Sequence, residues 1–139
     1  MTAKPHREVV AGLFLRKSEG EPEFFICRRP PYKSNPLLWE FVGGKVEAGE
    51  TPQEALVREC KEEMDANIAV GEIYTEVDHE YEDIFIHLTL YFAELLEEPK
   101  LLEHVAFAWI KPSQIKNYAF CPADKQILAK ILCDFGTVR

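Results

Sequence analysis

Residues 43–66 read Gly-Gly-Lys-Val-Glu-Ala-Gly-Glu-Thr-Pro-Gln-Glu-Ala-Leu-Val-Arg-Glu-Cys-Lys-Glu-Glu-Met-Asp-Ala, a diglycine turn followed by an acidic helical pattern. Residues three and four apart are neighbours on a helix, so Glu62 and Glu63 both lie one turn beyond Glu59. Like charges this close together oppose helix formation unless a cation lies over them. The spacing therefore predicts a carboxylate face that holds a divalent cation.

The bounds of this helix also follow from the sequence. Thr51-Pro52-Gln53-Glu54 is a capping box, with Thr51 as the N-cap, Pro52 at the first helical position and Glu54 reaching back to the N-cap amide. We therefore predict a helix over residues 52–64. The apolar stripe that docks this helix on a core consists of Leu56, Cys60 and Met64.

The acidic face suits Mg²⁺, with Mn²⁺ as a substitute, rather than zinc. Mg²⁺ takes hard oxygen ligands, keeps several waters, and often binds through one or two carboxylates together with substrate phosphates. An incomplete oxygen site is what a nucleotide-dependent metal requires. The alternative is an ordinary charged helix exposed to solvent, which is the interpretation to prefer when a sequence contains only an isolated pair of glutamates.

A spaced set of residues in this stretch resembles the signature of the Nudix hydrolases, which cleave nucleoside diphosphates linked to another moiety. The matching positions are Gly44, Glu50, Arg58, Glu59, Glu62 and Glu63. Residues 38–45 and 121–124 look like the MutT branch of the family, and within it like the bacterial CTP pyrophosphohydrolases. Asp65 stands where the family has glycine and Ala66 where it has a larger aliphatic residue, but aspartate tolerates the left-handed conformation of a helix C-cap.

The resemblance implies an α/β (α+β) fold, the Nudix-type α/β/α sandwich with a mixed β-sheet. We expect residues 1–139 to form one such domain. The resemblance also implies hydrolysis of a nucleoside triphosphate to a nucleoside monophosphate and pyrophosphate, with water attacking the β-phosphorus. Metal ions can supply such catalysis without a nucleophilic side chain, so no serine or cysteine nucleophile is required.

The resemblance further implies a metal site. Its ligands would be the Gly43 carbonyl, Glu59 and Glu63, with Glu62 supporting a further ion in the substrate complex. A glycine allows close approach of the backbone, and a carbonyl oxygen is a hard donor suited to Mg²⁺. Glu103 matches a loop glutamate that joins the metal site of MutT-like enzymes, although a plain surface carboxylate is an equal alternative.

Catalytic roles follow from the same resemblance for Glu59, Glu62, Arg58 and Glu103. Arg58 would orient the carboxylates, and Glu50, which lies outside the helix, would be a supporting partner rather than a ligand. Arg29, Arg28 and Lys45 are the candidate cations for the substrate phosphates. Because adjacent strand residues point to opposite faces, one of the two arginines must face away, and the family register favours Arg29.

Asp124 matches a position that contacts the nucleobase in MutT. An ionised aspartate only accepts hydrogen bonds, so it could bind the amine of cytosine or the N–H groups of guanine, and its alternative role is to complement the dipole of the last helix. Phe41 or Trp39 could stack on the base, although aromatic strand residues usually belong to a core. His87 alternates onto the face opposite its aliphatic neighbours, which is either the cleft or solvent.

Composition narrows the class of protein. The chain has 139 residues, is 47% hydrophobic and carries a net charge of −8, which suits one globular domain and disfavours polymeric nucleic acid as a partner. The small partner expected is a nucleotide. Four cysteines without close-paired spacing indicate reduced core thiols. With no leader pattern and no long apolar run, we expect a cytoplasmic protein without a membrane partner, and the sequence leaves its oligomeric state open.

The hydrophobic patterns predict the remaining elements. Strands are expected over residues 9–15, 24–29, 73–81, 84–93 and 105–110, and a second helix over residues 123–135. A proline-rich loop at residues 30–36 would border the base pocket.

The resulting hypothesis is a Mg²⁺-dependent nucleoside triphosphate pyrophosphohydrolase that acts on CTP, dCTP or modified cytidine nucleotides. The alternatives are an 8-oxo-dGTP diphosphatase and a nucleotide-binding module that has lost turnover. Asp65 and Ala66 motivate the module, and the presence of all three helix glutamates opposes it.

Overall fold

The computed structural model describes residues 4–137, in which seven strands and two helices form. The strands are β1 (His6–Arg16), β2 (Glu23–Arg28), β3 (Trp39–Glu40), β4 (Gly43–Lys45), β5 (Ile68–Glu80), β6 (Phe85–Leu95) and β7 (Ala106–Ile110). The helices are α1 (Pro52–Met64) and α2 (Lys125–Phe135). Short 3₁₀ turns cover Pro112–Asn117 and Pro122–Asp124. Neither helix is long and apolar enough to span a bilayer.

The sheet is mixed, as predicted, and β1 is its central strand. The strand order is β3-β2-β1-β6-β5, with β7 on β2. β1 runs parallel to β6 and antiparallel to its other partners. It pairs with β4 through residues 9–11 but with β2 only at Leu15 and Arg16. One edge of β1 therefore pairs with two strands, β4 and β2, which diverge from each other. The acidic helix α1 approaches the sheet in the region of this divergence.

Two apolar cores lie on opposite faces of the sheet. Alternate β1 residues divide between them: Val10 and Phe14 pack with α1, whereas Ala11 and Leu13 pack with α2. The α1 core includes Leu56, Cys60 and Met64, all fully buried. The α2 core includes Ile127, Leu128 and Ile131. The arrangement is the α/β/α sandwich that the sequence predicted.

The bounds of α1 agree with the prediction to the residue. Thr51 and Glu54 form both hydrogen bonds of the capping box. Asp65 ends the helix with φ 49° and ψ 43°, the left-handed conformation expected at the position where the family has glycine. Its amide donates to the Lys61 carbonyl, so the departure from the family pattern leaves the helix end intact.

Other predicted bounds needed correction. β1 and β5 extend further than the hydrophobic patterns indicated, and β3 and β4 were not predicted because two or three residues are too few for a periodic signal. α2 begins at Lys125 rather than at residue 123, since Pro122–Asp124 forms a 3₁₀ turn. Cys133 is exposed on α2, whereas Cys27, Cys60 and Cys121 are buried as expected.

Candidate active site

A cleft of about 810 Å³ opens between β1, β4, α1, the proline-rich loop and the segment that precedes α2. It brings together most of the site residues that the sequence predicted. Those that line it are Arg29, Phe41, Gly43, Lys45, Glu59, Glu63, Glu103 and Asp124. Arg28, Arg58 and Glu62 are not among its lining residues. Lys33, Ser34 and Asn35 also line it, so the proline-rich loop does border the cleft.

The diglycine turn is required by close contacts on both sides. A Cβ on Gly43 would lie 2.0 Å from the Val10 carbonyl oxygen, and a Cβ on Gly44 would lie 2.4 Å from Cδ of Glu59. Real Cβ atoms do not approach other atoms this closely. The two glycines therefore let β4 lie against β1 on one side and let the Glu59 carboxylate lie against the β4 backbone on the other.

Glu59 and Glu63 form the acidic part of the cleft. Their side chains are 17% and 9% exposed and are in hydrogen-bonding contact with each other. Burial, followed by the contact with Glu59, raises the pKa of Glu63 to about 10. A cation bound beside Glu63 in the cleft would favour the ionised form of this buried carboxyl group.

Glu62 does not join that pair. Its side chain is 53% exposed and contacts Nη1 of Arg58 at 3.1 Å. The expectation that three carboxylates converge therefore holds for Glu59 and Glu63 only. Helical spacing places Glu62 next to Glu59, but the Arg58 guanidinium holds it on the outer side of the helix.

Arg58 is the centre of an ion-pair network beneath the acidic pair. It donates to both carboxylate oxygens of Glu50, at 2.7 and 3.1 Å, and to Glu59 at 3.0 Å. It also donates to the Lys45 carbonyl at 2.9 Å, which links α1 to β4. The Glu50 hydrogen bonds are the main cause of the raised pKa of Arg58. This geometry agrees with the expected roles of Arg58 as the group that orients Glu59 and of Glu50 as its supporting partner.

The donor set fits a hard divalent cation. Gly43, Glu59 and Glu63 offer only oxygen atoms, which Mg²⁺, Mn²⁺ and Ca²⁺ prefer. A second group, Cys27, Glu40 and His104, has ligand atoms within 4.8 Å of one another. Burial raises the pKa of the Cys27 thiol well above its usual range, and Glu40 is already paired with Arg29 at 2.9 Å. The thiol and imidazole also make this group a poor match for a hard cation.

Arg28 and Arg29, the two adjacent candidates for phosphate binding, have different surroundings, as expected for neighbouring residues at the end of a strand. Arg29 lines the cleft directly after β2 and donates to Glu40 at 2.9 Å and to the Ser34 carbonyl at 2.7 Å. Arg28 instead donates to the Leu37 carbonyl and lies over the Trp39 ring. The geometry therefore favours Arg29 over Arg28 as a cleft residue.

Two further charged groups face the same space. Lys45 lines the cleft beside the glycines, where it can reach a bound anion. Glu103 lines the cleft and forms an ion pair with Lys33 of the proline-rich loop. The loop glutamate is therefore part of the cleft and not an isolated surface carboxylate.

Asp124, like Glu63, is a buried acid of the cleft. Burial raises its pKa well above the usual range, and the neighbouring Glu40 charge adds to the effect. Asp124 is the N-cap residue of α2, at the end of the helix where the alternative role of complementing the helix dipole would place it, but its side chain makes no capping hydrogen bond. A carboxyl held neutral presents one donor and one acceptor to the cleft. Tyr81 and Asn35 line the same cleft and add further polar groups.

Of the aromatic and histidine candidates, Phe41 lines the cleft, whereas Trp39 and His87 do not. Phe41 is buried, stacks on Phe24 with ring centroids 6.0 Å apart, and still lines the cleft. Trp39 packs edge-on against Tyr118 outside the lining. His87 contacts Asp78 at 2.6 Å and Glu76 at 2.9 Å on the neighbouring strand, outside the cleft lining, and the Asp78 hydrogen bond raises its pKa.

Sequence reasoning missed Glu40 and His104. Glu40 lines the cleft, and its carboxylate lies between Arg29 and His104. His104 is buried, with Nε2 2.9 Å from Glu40 and 3.6 Å from Glu63. The only sequence signal was a charged residue between two aromatics in Trp39-Glu40-Phe41 and a histidine beside Glu103. Nothing local shows that residues 64 positions apart are in contact.

A model of the NUDIX domain matches residues 5–131, and the chain therefore belongs to the Nudix family. It is a Nudix hydrolase with the family's mixed-sheet sandwich. The CTP pyrophosphohydrolase of Escherichia coli K12 is 34% identical to it over 122 residues, which cover 87% of each chain. The 8-oxo-dGTP diphosphatase of the same strain is also 34% identical, over 110 residues covering 78% of this chain and 85% of that protein.

Structural comparison agrees with the sequence relationship. The solution structure of the Escherichia coli ORF135 protein matches with a TM-score of 0.79 at 32% identity, and the match covers 94% of this chain and 91% of that one. The two relatives from Escherichia coli K12 have different named substrates but the same percentage identity to this chain. Percentage identity alone therefore does not choose among nucleobases.

Proposed function

We propose that this protein is a Mg²⁺-dependent nucleoside triphosphate pyrophosphohydrolase that acts on CTP, dCTP or modified cytidine nucleotides and releases a nucleoside monophosphate and pyrophosphate. The observation that carries the proposal is a single cleft that contains the Glu59–Glu63 pair, the cations Arg29 and Lys45, and the buried Asp124. These are the groups needed for a metal, a phosphate chain and a base, respectively. The match to the CTP pyrophosphohydrolase covers 87% of this chain, against 78% for the 8-oxo-dGTP diphosphatase, and this longer match supports the choice of substrate.

In this proposal the Gly43 carbonyl, Glu59 and Glu63 would hold Mg²⁺, and Glu62 would serve a further ion once substrate is bound. When bound, Mg²⁺ neutralises phosphate charge and lowers the pKa of a coordinated water. The chain itself keeps Glu59 in place through Arg58, at 3.0 Å, and excludes bulk water from Glu63 by burial. Catalysis then depends on positioning and electrostatics and not on a covalent intermediate.

The remaining charged groups of the cleft have separate tasks. Arg29 and Lys45 would bind phosphate oxygens, because both line the cleft as cations. The Glu103 carboxylate would accept a proton from the attacking water at the metal site. Lys33 holds this carboxylate by an ion pair before substrate arrives.

Asp124 would contact the base. A neutral carboxyl can accept from the N4 amine of cytosine while it donates to N3. It can equally donate to O6 of a guanine base while it accepts from N1, so hydrolysis of 8-oxo-dGTP is the second candidate function. The equal identity to the 8-oxo-dGTP diphosphatase supports that candidate.

The test is Mg²⁺-dependent pyrophosphate release from CTP, dCTP, 5-methyl-dCTP, GTP, dGTP and 8-oxo-dGTP, with kcat/KM measured for each. The proposal expects a cytidine nucleotide to exceed every purine by about tenfold or more, the discrimination that one well-matched hydrogen-bonded contact supplies. A preference for 8-oxo-dGTP would replace cytidine with the second candidate. Binding of nucleotide and Mg²⁺ without turnover of any substrate would contradict the assignment as a pyrophosphohydrolase.

A further inference from the structure

Four polar side chains lie in a row at the cleft wall: Arg29, Glu40 and Glu63 line the cleft, and His104 lies outside its lining. Arg29 Nη1 donates to Oε1 of Glu40 at 2.9 Å, and the other oxygen of Glu40 lies 2.9 Å from Nε2 of His104. The same imidazole nitrogen lies 3.6 Å from Oε1 of Glu63. Two hydrogen bonds therefore join Arg29, a cation of the cleft, to Glu40 and His104, and the imidazole lies beside the buried carboxyl group of Glu63 at a distance too long for a hydrogen bond.

The orientation of the His104 ring follows from its surroundings. Its side chain is 3% exposed, and within residues 4–137 its Nδ1 atom has no hydrogen-bond partner. Nε2 faces Oε2 of Glu40, so it is the ring nitrogen that donates a hydrogen bond to this carboxyl oxygen. A buried imidazole with an unpaired nitrogen is unfavourable for stability. In this position the imidazole lies beside the carboxyl groups of Glu40 and Glu63, and this placement accounts for the cost of burying it.

The backbone fixes both residues relative to one strand. Glu40 of β3 pairs with Cys27 of β2, and the amide of Val105, next to His104, donates to the Arg28 carbonyl at 3.0 Å. Glu40 and His104 are thus attached to the strand that ends at Arg28, directly before Arg29. Glu40 lies on β3 and Glu63 on α1, whereas Arg29 directly follows β2 and His104 lies in the loop before β7.

We propose that Glu40 and His104 are positioning residues that hold the Arg29 guanidinium and the Glu63 carboxylate at a fixed separation. Glu40 presents Arg29 to the phosphate chain of the substrate, and His104 keeps the Glu63 carboxylate turned toward the metal position. Partners of this kind around a ligating group commonly change metal affinity or activity by about 10–100-fold when removed. This inference rests on the proposed function, since it needs Glu63 as a metal ligand.

The experiment measures Mn²⁺ binding to the nucleotide-free full-length protein by electron paramagnetic resonance, together with KM and kcat for the best substrate of the nucleotide panel. His104→Phe keeps an aromatic ring and removes the donor, whereas His104→Gln restores a donor. Glu40→Gln keeps the shape and removes the charge. His87→Phe is the matched control, because His87 also contacts two carboxylates but lies outside the cleft lining.

His104→Phe is expected to weaken Mn²⁺ binding by about tenfold or more, and His104→Gln to recover most of the loss. Glu40→Gln is expected to raise KM by about tenfold and to weaken Mn²⁺ binding less than His104→Phe does. His87→Phe should leave both quantities within about twofold. Because the residues form one chain, the loss in the Glu40→Gln, His104→Phe double variant should be smaller than the product of the single losses.

Unchanged Mn²⁺ affinity in a folded His104→Phe protein would overturn the inference, since a purely structural role would lower only the melting temperature. If His104→Phe does not fold, unchanged KM and Mn²⁺ affinity in Glu40→Gln would overturn it instead. Mn²⁺ binding to Glu63→Gln distinguishes an error in the proposed metal site from an error in the positioning role. If it binds Mn²⁺ as well as the wild type, the proposed metal site is wrong; if it does not bind but His104→Phe does, only the positioning role is wrong.

Discussion

Gly44 and Glu59 are in such close contact that a single methyl group on residue 44 would displace the carboxylate, because its Cβ would lie 2.4 Å from Cδ of Glu59. The diglycine turn and the acidic helix of the family signature are therefore one steric unit. Their spacing in the sequence reflects this contact between β4 and α1.

Gly44→Ala tests this contact. The added methyl must push Glu59 away from the β4 backbone, and a misplacement of about 1 Å at a catalytic site can lower the rate about 100-fold. We expect kcat/KM to fall by that order and Mn²⁺ affinity to fall with it. Gly71→Ala is the control, since its Cβ would lie 3.1 Å from the Phe92 carbonyl oxygen, away from the cleft. Equal Mn²⁺ affinities in the two variants would contradict the steric account.

Glu63→Gln is expected to stabilise the metal-free protein while it removes the response to metal. The unfolded chain ionises at the ordinary pKa of 4.5, whereas burial raises the folded pKa to about 10. The stability that Glu63 contributes is thus present below pH 4.5 and is lost as the pH rises toward 10. At pH 8 without metal, the melting temperature of the variant should be higher by about 2–8 °C.

The change in melting temperature on adding Mg²⁺ is a second test of Glu63. It should raise the melting temperature of the wild type, because a ligand that binds only the folded state stabilises it, and it should leave Glu63→Gln almost unchanged. Differential scanning fluorimetry with and without Mg²⁺ measures both effects. The same Mg²⁺-induced shift in the two proteins would exclude Glu63 as a ligand.

Asp124 variants test the contact with the base. Asn keeps one donor and one acceptor in the same shape, whereas Ala removes both. We expect Asp124→Asn to retain kcat/KM within about tenfold, and Asp124→Ala to lose about 10–200-fold, chiefly through KM. Asp134→Asn on the exposed end of α2 is the control. A loss confined to kcat in Asp124→Ala would move Asp124 from base recognition to the chemistry.

Glu21 governs acid stability outside the cleft. It accepts from the amides of Ser113 and Thr137, at 3.1 and 2.7 Å. Hydrogen bonding from the Ser113 side chain, followed by that from the Thr137 amide, lowers its pKa to about 2. The unfolded chain binds the proton at pH 4.5, so this stabilisation is complete above pH 4.5 and is lost as the pH falls toward 2.

Glu21→Gln should therefore lower the free energy of unfolding at pH 7 by about 1.5–3 kcal/mol, the usual worth of hydrogen bonds to a charged group. The difference from the wild type should shrink between pH 4.5 and about 2, as measured by urea denaturation. A difference that stays constant across this range would show that Glu21 acts through its shape and not through its charge.

The parts of the molecule that the sequence predicted well are those fixed by local chemistry. The capping box and the 3.6-residue period determine α1 from Pro52 to Met64. Asp65 can take the left-handed conformation that ends the helix, because aspartate tolerates it better than most residues do. The apolar stripes place both helices on the sheet. These signals need no information from distant parts of the chain.

The parts that were missed depend on contacts between distant segments. β3 and β4 exist because β2 and β1 pair with them, not because of their own composition. Helical spacing placed Glu62 beside Glu59 but could not show that Arg58 holds it outward. The contact of Glu40 with His104 joins a two-residue strand to a loop, so no periodic pattern records it.

The most direct test of the central claim is product analysis. CTP would be incubated with the wild type, Glu59→Gln and Glu63→Gln, with and without Mg²⁺, and CMP, pyrophosphate, CDP and phosphate would be quantified. The account predicts CMP and pyrophosphate in equal amounts from the wild type with Mg²⁺ only, and a loss of about 100-fold or more in both variants. Release of CDP and phosphate, or full activity in both variants, would contradict it.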